Sequence, residues 1–223
     1  MRDALSLETL EGLYGRIASR YDLQHGLITA RADQRGRKLL VDQAVNVGDK
    51  ILDCGAGTGT TSIMAANKAG SKGQVTLFDL SEDMLAIAAE KLRKEGLADR
   101  VNFKSGDMQH LPFDDSTFDV VLSTYSLCPV FDPEQGALEL YRVTKPGGKL
   151  GIAHSSEPHS PPVRWFADRI EDIVWHMPWL SMGCRSVRVL PALEKAGGIV
   201  VFSKQIGVPL WPFSVFVILK PAS

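Results

Sequence analysis

The sequence is short of several things, and each shortage removes a class of protein. Formal net charge is −1, and no block of like charges occurs in the 223 residues. That excludes a chain whose main task is to hold a nucleic-acid backbone by charge, and no nucleic-acid partner is expected. No run reaches the roughly 18 apolar residues that a spanning helix needs, so no membrane span is expected, while peripheral membrane contact stays open. The opening Met1-Arg2-Asp3-Ala4 carries an early acidic residue and lacks the apolar core of a signal peptide. Cysteine is scarce: Cys54, Cys128 and Cys184 are odd in number and show no C-x-x-C spacing. Neither a disulfide framework nor a zinc site is expected, and a reducing cytoplasm is the natural setting. No His/Cys/Asp cluster has ligand spacing, so no metal is expected. Internal repeats, low-complexity tracts and long linkers are also missing.

What is present is enough for one well-packed domain. Apolar residues make up 44% and charged residues 23%, the balance of an ordinary globular core and surface. We expect a single domain, 1–223, in four parts: helices over 1–45, alternating strands and helices over 46–154, further helices over 155–198, and a hairpin over 199–223. In the first part Leu10, Leu13, Tyr14, Ile17 and Tyr21 recur at three- and four-residue steps, and Leu39 and Leu40 end a second such segment.

The alternation then begins. Strands are predicted at Lys50–Cys54, Gln74–Phe78, Val101–Lys104, Phe118–Leu122 and Lys149–Ala153, with Pro146-Gly147-Gly148 as a turn before the last. Helices are predicted at Thr60–Lys68, from a Ser81 N-cap to Lys94, and around Pro133–Val143. Helical stretches follow at Val163–Met177 and Val187–Ala196. Two closing strands, near Ile199–Gln205 and Phe213–Leu219, are separated by a loop and should pair antiparallel. The expected fold class is α/β: seven strands, mostly parallel, with an antiparallel terminal strand and helices on both faces.

Three elements fall at the ends of the first three strands. Asp53-Cys54-Gly55-Ala56-Gly57-Thr58-Gly59 carries three glycines from a strand into a helix, making an open, electropositive backbone corner. A dinucleotide fingerprint needs G-x-G-x-x-G, and here Thr60 stands where its third glycine belongs. This disfavours a nicotinamide oxidoreductase. Twenty residues after Gly59, Asp79 ends the second strand, where a carboxylate can take both hydroxyls of a ribose or simply cap a helix. Gly106-Asp107-Met108 follows the third strand, where an Asp can accept from an adenine amino group or serve as a turn residue. Ligands bind at this carboxyl edge in open α/β sheets.

From about Tyr14 to Ala153 these motifs resemble the class I S-adenosylmethionine methyltransferases. Val47 to Gly59 looks like that class's first motif and Asp79-Leu80-Ser81-Glu82-Asp83-Met84-Leu85 its second. Gly106-Asp107-Met108, Leu111-Pro112-Phe113 and Ser116-Thr117-Phe118-Asp119 look like the third. Arg142-Val143-Thr144-Lys145-Pro146-Gly147-Gly148 looks like the fourth. Within the class the chain is similar to the ubiquinone/menaquinone biosynthesis C-methyltransferase type, through Tyr14, Ala18, Tyr21-Asp22 and Arg35.

The resemblance implies a Rossmann-like fold and S-adenosyl-L-methionine as cofactor. It implies an N-terminal lid over 1–45, a cofactor-binding core over 46–154 and substrate-side helices over 155–198. Tyr21 would close over the cofactor. Asp53, Gly55, Gly57, Thr58, Gly59, Asp79, Leu80, Asp107, Met108 and Thr124 would contact it, and Met84 would pack near the adenine. The chain also departs from the quinone type. His25 replaces the asparagine usual after Tyr-Asp, His154-Ser155-Ser156-Glu157-Pro158 lacks the usual acid-bearing version, and 163–188 does not carry the typical pattern. Tyr125 to Val130 leans toward phospholipid N-methyltransferases and related small-molecule enzymes.

A sulfonium methyl is already activated, so transfer needs in-line placement more than metal or covalent help. An oxygen or ring-carbon acceptor would gain from a base. His154, just past the fifth strand, and His25 are the candidates; each also fits a hydrogen-bonded structural role. Trp165, Trp175 and Trp179 fall on one amphipathic stretch, which suggests core packing with surplus aromatic surface over an apolar or aromatic small-molecule acceptor. The leading expectation is quinone-type C-methylation. Phospholipid or other N/O/S-methylation stays open, as does a catalytically silent S-adenosylmethionine-binding domain.

Overall fold

The structure is a computed structural model and describes residues 6–17, 32–157, 160–165, 167, 169, 186–208 and 211–222. In chain order its elements are α1 (Leu7–Ile17), α2 (Ala32–Ala44), β1 (Lys50–Cys54), α3 (Thr60–Ala69), β2 (Gln74–Asp79), α4 (Glu82–Lys94), β3 (Val101–Ser105) and β4 (Phe118–Thr124). They continue with α5 (Pro133–Val143), β5 (Thr144–Ser155), α6 (Leu190–Lys195), β6 (Ile199–Val208) and β7 (Trp211–Leu219).

The strands form one seven-stranded sheet in the order β3-β2-β1-β4-β5-β7-β6. Neighbours from β3 through β5 pair parallel; β7 runs antiparallel to both β5 and β6. The last strand of the chain is therefore not at the edge: it inserts between β5 and β6. The chain reverses its direction of progress at β1, which has β2 on one side and β4 on the other. Such a switch opens a crevice beyond the strand ends.

Period-two alternation builds both layers. Ile51, Val120, Leu122, Val215 and Val217 face one core, closed by Leu40 and Val41 of α2, Ala65 and Ala66 of α3, and Ala88 and Leu92 of α4. Their neighbours Leu52, Val121, Phe216 and Ile218 face a second core, closed by Ala137 and Leu140 of α5 and Leu193 of α6. Shifting a strand by one residue would exchange the two layers.

Local chemistry sets the boundaries. Ser81 caps α4 by accepting from the Met84 N–H at 3.3 Å, and Asp132 caps α5 by accepting from the Gln135 N–H at 3.0 Å. Three expectations are corrected. Pro146-Gly147-Gly148 does not precede β5 but bulges within it: pairing with β4 jumps from Phe118–Thr144 to Val120–Lys149. Gly147, at φ 77, donates to the Lys220 carbonyl at 2.7 Å, and the terminal segment holds the bulge. The anticipated loop after Gln205 is largely ladder, since Ile206 pairs with Phe213 and Val208 with Trp211. The helix expected from Val187 starts only at Leu190, because Pro191 fits the first helical turn and no later one. The helix expected over 163–177 lies mostly outside the described residues, as do Trp175 and Trp179; Trp165 is exposed.

Candidate functional site

At the carboxyl ends of β1 to β4 lies a cleft of about 840 Å³, counted out to open solvent. Of the residues singled out in the sequence, Gly55, Gly57, Thr58, Asp79, Leu80, Met84, Asp107, Met108 and Thr124 line it together. Asp53 and Gly59 stand behind the wall. Asp53 is fully buried and accepts from the Ser62 hydroxyl at 2.5 Å. Gly59 is the N-cap residue just before α3, in the left-handed region at φ 80, and a Cβ there would press on Ala88 at 3.0 Å. Tyr21 and His25 lie outside the described residues. His154 does not line the cleft: it is buried edge-on against Phe216, its Nδ1 is 2.7 Å from the Ser155 carbonyl, and burial holds its pKa below the usual range.

The glycine loop is folded back onto β2. Gly55 and Ala56 donate to the Phe78 carbonyl at 2.7 and 3.1 Å, and Gly57 donates to Asp79 Oδ2 at 2.7 Å. Asp79 Oδ1 accepts from the Ser81 N–H at 3.0 Å. The Leu80 backbone N–H also acts on this carboxylate, whose two oxygens together offer about four acceptor directions. Burial raises the Asp79 pKa, against the lowering effect of these backbone donors. Gly57 has φ 53, and a Cβ built on it would meet nothing within 4 Å, so the loop leaves open space on the cleft wall.

Asp107 is held by a residue that sequence reasoning missed. The Gln109 amide donates to both Asp107 oxygens, at 3.1 and 3.0 Å, while its own oxygen accepts from the Asp132 N–H at 2.9 Å. Arg142 of the fourth motif then fixes the rest of that loop. It meets Glu139 through two bonds of 2.7 and 2.8 Å and donates to the Leu111 and Phe113 carbonyls.

Arg37 was also missed, because in sequence it is one more basic residue on a polar helix. It is 6% exposed and lines the cleft. Its Nη1 donates to Thr61 and Thr124 at 2.8 and 2.7 Å, and those two hydroxyls are 2.9 Å apart. The Tyr125 ring lies 5.2 Å from the guanidinium carbon. Tyr125 takes φ 59, an uncommon backbone for an aromatic residue at the end of a strand. Gly36 makes room for it, since a Cβ there would stand 2.2 Å from the Tyr125 hydroxyl.

This strand order, with a glycine loop and carboxylates at successive strand ends, is the Rossmann-like methyltransferase fold. An S-adenosylmethionine-dependent methyltransferase from Aquifex aeolicus superposes with a TM-score of 0.59 at 25% identity, over 82% of this chain and 89% of that one. The [4+2]-cyclase SpnF superposes with a TM-score of 0.75 over 99% of both chains, at 19% identity, and shares the fold. Residues 3–174 match the ubiE/COQ5 methyltransferase family, and the chain belongs to that family. The demethylmenaquinone methyltransferase of Lactobacillus johnsonii is 37% identical over 68% of this chain and 63% of its own length. The ubiquinone/menaquinone biosynthesis C-methyltransferase of Haemophilus ducreyi is 32% identical over 70% of this chain. The chain spans 61% of the latter's length, so the similarity leaves over a third of each relative unmatched.

Proposed function

We propose that this chain transfers the methyl group of S-adenosyl-L-methionine to a small hydrophobic acceptor, with a ring carbon of a reduced quinone as the leading target. The observation that carries this reading is the cleft that joins the glycine loop, Asp79 and Asp107 in a chain of this family. When bound, the cofactor supplies an activated sulfonium methyl. Asp79 would accept from the ribose hydroxyls through its remaining lone pairs, and Asp107, clamped by Gln109, would face the adenine edge. Leu10, Met84, Met108, Pro129 and Val130 give the cleft apolar walls suited to a flat ring and an apolar acceptor. The names of the two relatives favour a quinone carbon over a phospholipid nitrogen. Among the described residues no helix is long and apolar enough to cross a membrane. Where the acceptor must lose a proton, His25 is our candidate ahead of His154, whose ring is not on the cleft wall.

Calorimetry with S-adenosylhomocysteine should show binding, and labelled methyl should pass to a short-chain demethylmenaquinol. No binding would sink the cofactor assignment. Binding without transfer to any quinol, phenol or amine in a broad panel would leave a silent cofactor-binding domain instead.

A further inference from the structure

Resting on that reading, we infer that Arg37 is the cofactor's carboxylate receptor. The strand order gives the direction in which the ligand must lie. Asp107 follows β3, Asp79 ends β2, the glycine loop follows β1 and Thr124 ends β4, in that spatial sequence. Strands are about 4.8 Å apart, so β3 to β4 spans about 14 Å, the length of an extended nucleoside with an amino-acid tail. With adenine at Asp107 and ribose at Asp79, the tail runs toward β1 and β4. A methionine-type tail ends in an ammonium and a carboxylate, and the carboxylate needs a cation at that end.

Arg37 is the cationic side chain in the described cleft lining. Its placement is costly unless it is used. The guanidinium is buried, and Asp33 approaches its Nε only to 3.9 Å. That Nε has no hydrogen-bond partner among the described residues, although it is buried. Leaving a buried donor unsatisfied costs about 1–3 kcal/mol, which marks a position kept for something other than packing. Both threonine hydroxyls converge on Nη1 alone, and the Tyr125 ring backs the planar group. Those contacts fix the plane of the guanidinium while leaving Nη2 unengaged by the described residues. A fixed planar donor pair is the geometry that recognises a carboxylate.

The test compares S-adenosylhomocysteine with its decarboxylated analogue, which differs only in lacking the carboxylate, on wild type, Arg37→Met and Arg37→Lys by calorimetry. Wild type should bind the acid about 10- to 100-fold more tightly than the analogue. Arg37→Met should lose that preference by weakening the acid alone, and Arg37→Lys should keep part of it. Equal weakening of both ligands in Arg37→Met would mean a structural role and overturn the inference. So would a wild type that binds both equally, a measurement that stands even if the variants do not fold. An unchanged nucleoside preference with a raised KM for the acceptor would assign Arg37 to the acceptor instead. If wild type binds neither nucleoside, the proposed function falls and this inference with it.

Discussion

Asp53 and Asp79 are adjacent carboxylates with opposite uses of burial. Asp53 has no exposure, its Oδ1 has no hydrogen-bond partner among the described residues, and burial pushes its pKa up to about 6, against the lowering effects of Ser62 and Arg37. An unfolded aspartate titrates near 4. Between those values the folded chain holds a proton that the unfolded chain has released. The stabilising contribution is complete below about pH 4 and is lost as pH rises through about 6, by about 3 kcal/mol. Asp53→Asn removes the charge while its amide oxygen can still accept from Ser62. In ligand-free protein it should raise Tm at pH 7.5 and change it little at pH 4, followed by calorimetric melts; a loss of Tm at pH 7.5 would contradict the argument. Asp79 by contrast faces the cleft. Asp79→Ala should weaken S-adenosylhomocysteine binding about tenfold or more through loss of charge-assisted bonds. Unchanged affinity would place the ribose elsewhere.

At the scale of elements, the glycine loop separates two demands that its sequence presents as one. Gly55 has φ 71, and its Cβ would fall 2.1 Å from the Ser126 Cβ; Gly57 has φ 53 and open space. Gly55→Ala should therefore destabilise the fold by about 2–5 kcal/mol, combining left-handed strain with overpacking. Gly57→Ala should cost only the strain, about 1–2 kcal/mol. Its larger effect should be on ligand affinity. Denaturant melts alongside nucleoside titration would show the split, and equal stability losses would refute it. The motif spacing located this loop because a tight turn into a helix needs glycine. It could not rank the three, because what a Cβ on Gly55 or Gly59 would strike belongs to the residues after β4 and to α4, and a Cβ on Gly57 would strike nothing. The Ser81 cap was legible for the opposite reason: a cap is satisfied within three residues of itself. Arg37 was not, since its two threonine partners are 24 and 87 residues away.

For the whole molecule, the cleft joins α1, α2 and the ends of four strands, so a ligand there should stabilise all of them together. S-adenosylhomocysteine at 100 times its Kd should contribute about 2.7 kcal/mol. For a chain of this size that raises Tm by about 5–10 °C in a thermal melt. No shift at saturation would show that the cleft is not where the nucleoside binds. The carboxyl-terminal hairpin bears on the site from a distance: β7 pairs with β5 from Lys149–Leu219 to Ser155–Phe213, and β5 in turn supports β4. Tyr125 at the end of β4 packs edge-on against Phe213.

Legible in the order of residues alone were the α/β class, the five parallel strands, the closing hairpin, the Ser81-capped helix and the placing of Gly55, Asp79 and Asp107 at successive strand ends. All of these follow from short-range periodicity, turn chemistry and spacing. Only the tertiary structure decided that β7 slips between β5 and β6, because either strand of a hairpin can take the inner place and nothing local chooses. It also separated Asp53 and Gly59 behind the wall from the residues on it, set His154 away from the cleft lining, and brought Arg37 to the end of β4. Burial and long-range hydrogen bonding decide those placements, and both are properties of the packed molecule.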